Sequence, residues 1–112
     1  MAMDKVTVLI LGVKFNRYDN KLGYDPIMSD DWLPYIEGHE GVKIGLRFGE
    51  NTNDVYLGVV LAKSDSYAQG GLDEPVAVKI PSDLTTMMDI QRTGYPVGTI
   101  DEVQIWFVDL WR

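Results

Sequence analysis

Val42-Lys43-Ile44-Gly45-Leu46-Arg47-Phe48 and Val55-Tyr56-Leu57-Gly58-Val59-Val60-Leu61 are two alternating stretches joined by the six residues Gly49-Glu50-Asn51-Thr52-Asn53-Asp54. Side chains alternate faces along a strand, so folding one stretch onto the other sets a register: Phe48 beside Val55, Leu46 beside Leu57, Ile44 beside Val59 and Val42 beside Leu61. That row is one apolar face. On the other face Gly45 falls opposite Gly58, with Arg47 opposite Tyr56 and Lys43 opposite Val60. Two facing glycines leave a notch in which no side chain covers the backbone.

Working outward, residues 5 to 15 carry Val6, Val8 and Ile10 on one parity and Leu9, Leu11, Val13 and Phe15 on the other. Both faces want cover, which predicts a central strand. Residues 16 to 40 break the alternation with Asp19-Asn20, Gly23, Pro26, Ser29, Pro34 and Gly38, a long connection with a helical turn expected near Ser29-Asp30-Asp31-Trp32. Beyond the hairpin, a polar turn from Ser64 to Glu74 leads through Pro75 into an expected short strand, Val76-Ala77-Val78-Lys79-Ile80. Ser82 then caps a helix in which Leu84, Met87, Met88 and Gln91 recur at helical spacing until Gly94 ends it. A final strand runs from Val103 to Trp111.

This order predicts one α+β domain spanning residues 1–112: a mainly antiparallel sheet of about five strands with one short helix and one long acidic-aromatic loop. A small β-sandwich with a terminal helix is the alternative. The final strand is apolar on both parities, so it is either central or shared with a second subunit, and Trp106, Leu110 and Trp111 are its expected contacts in a homo-oligomer.

Composition narrows the function. The chain has 112 residues, 17 acids against 10 bases and no cysteine. A net charge of −7 argues against direct nucleic-acid binding, which rests on Lys and Arg neutralising phosphates. Without cysteine there are no disulfides or thiolate metal sites, and a reducing, cytoplasmic setting is expected. Met1-Ala2-Met3-Asp4-Lys5 runs into an apolar segment with no small-residue cleavage site and too little length for a membrane span, so a soluble protein is expected. His39 is the only histidine, which rules out a histidine-pair zinc site, and it reads as a solvated loop residue. No serine-hydrolase, phosphate-loop or dinucleotide pattern is present, so no catalytic residue and no cofactor is expected.

Two binding readings remain. The connection from 16 to 40 holds Asp19, Asp25, Asp30, Asp31, Glu37 and Glu40 against Arg17 and Lys21, a net −4, together with Tyr18, Tyr24, Trp32 and Tyr35. Aromatic anchors among carboxylates suit an interface with a basic protein surface, with Asp19, Asp25, Asp30, Asp31, Trp32 and Tyr35 as its expected residues. A small acidic protein of this style, like the inhibitor proteins of phages, would act by occluding that surface. The second reading is an oligomeric protein that holds a small anion, such as a nucleotide, over the notch on Lys43, Gly45, Arg47, Tyr56 and Gly58.

Overall fold

The computed structural model describes residues 5–38, 41–49, 53–65 and 77–111, with side chains from 7 to 63 and from 77 to 109 within those spans. His39, Glu40, the hairpin tip at 50–52 and the polar turn at 66–74 therefore lie outside the described residues, as do the side chains of Leu110 and Trp111.

The fold is α+β, built among the described residues on one antiparallel sheet of four strands. The strand Lys5–Asn16 (β1) is flanked on both sides, as its two apolar parities require. One neighbour is Asp54–Asp65 (β3), which in turn pairs with Gly45–Phe48 (β2); the other is Gln104–Trp111 (β4). The hairpin of β2 and β3 holds the register required by its alternation, Gly45 with Gly58, Leu46 with Leu57, Arg47 with Tyr56 and Phe48 with Val55. It is closed by the Gly49 N–H donating to the Asp54 carbonyl at 3.0 Å. Pairing begins only at Gly45, so Lys43 stands outside the ladder, and Phe48 at the far end is half exposed instead of joining the apolar row.

A bulge in β3 sets Leu9 against Ala62 but Ile10 against Val60, leaving Leu61 as the extra residue. Leu61 packs with Val59 on the main core. That core holds Leu11, Val13, Phe15, Leu46, Val55 and Leu57 from the sheet, covered by Trp32, Ile90, Tyr95 and Val97. The opposite face carries a smaller cluster, Val8, Ile10, Tyr56 and Val108, with Val60 and Trp106 against it.

The helix Asp83–Arg92 occurs where its signals place it. Ser82 Oγ accepts from the Thr85 N–H at 3.1 Å, and Gly94 stops the chain at φ 101°. Its buried face differs from the expected one: Thr86 and Ile90 point inward, Met87 is partly buried, and Leu84 and Met88 face out. One β-branched residue per turn meets the sheet, and Tyr95 and Val97, arriving after the turn, fill the place the methionines would have taken.

The strand expected at 76–80 does not form over its described part; residues 77–80 are exposed and irregular. Strand preference expresses packing on a neighbour, and a short run held between Pro75 and Pro81 finds none among the described residues. Conversely, the long connection is ordered. It contains 3₁₀ turns at Pro26–Met28 and Asp30–Trp32 and a short helix at Leu33–Glu37 (α1), which ends at Gly38 with φ 70°. The helix Asp83–Arg92 is α2. Among the described residues no helix is long and apolar enough to cross a membrane.

Candidate functional site

Small polar side chains hold the connection in shape. Asn16 Oδ1 accepts from the N–H groups of Tyr18 and Asp19, and Asn20 Oδ1 from those of Leu22 and Gly23. The Asn20 amide also donates to the carbonyls of Arg17 at 2.7 Å and Tyr24 at 3.0 Å. Ser29 Oγ accepts from the Asp31 N–H and starts the second 3₁₀ turn. These bonds pull Pro26 and Trp32 inward, and Trp32 is only 2% exposed. Its Nε1 donates to Tyr24 Oη at 2.9 Å, and its ring lies 5.5 Å from that of Tyr35.

The six residues expected to meet a partner thus divide into two groups. Asp25 faces its own chain, accepting from the Ile27 N–H at 3.1 Å and from Arg17 Nε at 2.8 Å. Trp32 is core, and Tyr35 is half-buried with its carbonyl directed at Arg47. Asp19, Asp30 and Asp31 remain exposed. Met28, 75% exposed, and Leu33 stand beside them as apolar surface that the sequence did not single out, with Tyr18 and Tyr24 also outward. The available signal was the inward demand of Pro26 and Trp32, which turns Met28 and Leu33 to the other side.

Both cations of this segment are occupied. Arg17 binds Asp25, with its guanidinium 5.1 Å from the Tyr18 ring centroid, and Lys21 Nζ reaches Glu102 Oε1 at 2.9 Å. That hydrogen bond holds the Glu102 carboxyl below its usual range, partly opposed by burial and assisted by the Gly98 N–H. Burial, and secondarily the charge of Glu102, pushes the Tyr95 hydroxyl up. Asp19, Asp30 and Asp31 have no cation within 4.0 Å among the described residues, so their charge is directed at solvent.

The hairpin row is arranged differently. Gly45 and Gly58 are neighbours, yet the space above them is occupied. A Cβ on Gly45 would lie 3.2 Å from Arg47 Nη1, because that guanidinium folds back over the glycine and donates to the Leu46 carbonyl at 3.0 Å. A Cβ on Gly58 would run into the β1 backbone, 2.6 Å from the Cα of Gly12, its partner on the other side. The Trp106 indole donates to the Gly12 carbonyl at 3.1 Å, and its ring lies 5.9 Å from that of Tyr56. Burial and then the charge of Asp54 push the Tyr56 hydroxyl up. Lys43 instead borders a cavity of about 290 Å³ with Tyr35, Val42 and Ile44 on one side and Asp89 and Arg92 of α2 on the other. Asp89 pairs with Arg92 at 3.1 Å, so among the described residues Lys43 is the cation on that wall without an ion pair. Of the five residues of the notch reading, Lys43 lines this cavity and Gly45, Arg47, Tyr56 and Gly58 do not.

Of the residues expected between subunits, Trp106 is half-buried on the sheet, and the side chains of Leu110 and Trp111 lie outside the described residues. No group of three or more His, Cys, Asp or Glu side chains placed to hold a metal ion occurs among the described residues. No family model matches the chain, and no curated protein or solved structure matched it.

Proposed function

We propose that this protein acts by binding another protein, and that the outer surface of residues 18–33 meets a basic patch on the partner and occludes it. The observation that carries this reading is the spent cations: Arg17 and Lys21 are committed to Asp25 and Glu102, while Asp19, Asp30 and Asp31 project charge outward. Carboxylates placed this way raise the rate of encounter with a positive surface and fix the register of docking. Affinity then comes from apolar anchors, and Met28, Leu33 and Tyr18 are exposed among those acids. The segment is already ordered by its own hydrogen bonds, so binding forfeits little conformational entropy. The hairpin row supports a small-anion site less well, since Arg47 and the β1 backbone fill it.

A photo-crosslinking residue at Met28, introduced in the natural host, tests the proposal. A discrete adduct with a basic protein is expected, and its yield should fall about tenfold when Asp30→Lys and Asp31→Lys are combined, with the melting temperature unchanged. No adduct, or one insensitive to the charge reversal, refutes it.

A further inference from the structure

Among the described residues no strand pairs with the outer edge of β4, which offers a second surface, independent of the acidic one. We infer that β4 pairs with β4 of a second copy of this chain, antiparallel across a two-fold axis, joining the two sheets into one. An edge strand presents a row of unpaired N–H and C=O groups, and soluble proteins ordinarily protect such edges with short length, lysines, prolines or bulges. The other edge follows that rule: β2 has only four residues, and the Arg47 guanidinium lies against it. The β4 edge does not. It runs eight residues, Gln104–Trp111, without proline, lysine or a register shift against β1, and no described strand pairs with its outer side.

Its single charged side chain is engaged with β1, where Asp109 accepts from Thr7 Oγ1 at 2.7 Å. Beside it Phe107 is 78% and Ile105 49% exposed, on the face that holds Leu9 and Leu11. The occupant follows from symmetry. A two-fold axis normal to the sheet keeps each residue on its own face, so Ile105 and Phe107 of both copies meet on one side while the antiparallel ladder satisfies the outward backbone groups. A second copy is therefore complementary in hydrogen bonding and in apolar surface at once.

Analytical ultracentrifugation of the whole chain from about 1 to about 100 µM, with Phe107→Lys and Ile105→Lys as separate variants, tests this inference. A dimer is expected for the native chain, with its dissociation constant raised about tenfold or more in each variant and circular dichroism unchanged. Hydrogen exchange at residues 104–111 should slow with protein concentration in the native chain alone. A monomer throughout the range overturns the inference, as does a dimer that neither variant weakens. Asp30→Lys with Asp31→Lys should leave the dimer intact, which separates this interface from the acidic one.

Discussion

Alanine at Gly58 and alanine at Gly45 ought to have unequal consequences, although the two glycines face each other in one hairpin. At Gly58 the new methyl would stand 2.6 Å from the Gly12 Cα, against 3.4 Å for an ordinary contact, and closer still to the Leu11 carbonyl oxygen. Backbone cannot rotate aside, so β1 and β3 must separate by at least about 0.8 Å at this pair. Weakening the two adjacent ladder bonds costs about 1 kcal/mol each, and overpacking adds about 1 kcal/mol more, for a total of about 3 kcal/mol. At Gly45 the methyl meets only the flexible end of Arg47, at 3.2 Å. Replacing a strand glycine regains conformational entropy, so Gly45→Ala should fall within about 0.5 kcal/mol of the native chain. Urea denaturation reads both: a domain of this size has a slope of about 1 to 3 kcal/mol/M, and Gly58→Ala should lower the midpoint by about 1.5 M. Gly12→Ala should match it, and the double variant should lose less than the sum, because one separation of the strands admits both methyls. Equal effects at Gly45 and Gly58, or additive ones at Gly12 and Gly58, would refute the close approach of β1 and β3 as the reason for these glycines.

Trp32→Phe removes the Nε1 bond to Tyr24 and part of a buried ring system, and should cost about 2 kcal/mol in urea while leaving crosslinking at Met28 intact in the folded fraction. Lost crosslinking at full stability would instead place Trp32 in the interface. The Glu102 carboxyl is depressed by Lys21 in the folded state relative to an ordinary value of 4.5. The stability it contributes is therefore present above that value and lost as pH falls through the lower folded one. Lys21→Met should flatten this acid limb in urea midpoints taken from about pH 6 to about pH 3, and an unchanged limb would show the pair to be idle.

What the sequence alone determined is local. The register of β2 on β3 follows from a period of two and one pair of glycines, the central place of β1 from apolar residues on both parities, and the span of α2 from Ser82 and Gly94. Each depends on backbone geometry within a few residues, and the chain spells it out. The tertiary structure decided which surfaces are used, because contacts between distant segments leave no local trace. The notch at Gly45 and Gly58 looked open because Gly12, far back in the chain, is the residue whose backbone fills it. The acids of residues 16–40 looked alike until Arg17 and Lys21 chose Asp25 and Glu102, leaving Asp19, Asp30 and Asp31 to face outward. Trp32 read as an anchor and Met28 was not singled out, yet the demand of the sheet for cover took Trp32 inside and left Met28 in solvent. The final strand was apolar on both parities and so read as central or shared, but β1 took the central place, and among the described residues β4 stands at the end of the sheet.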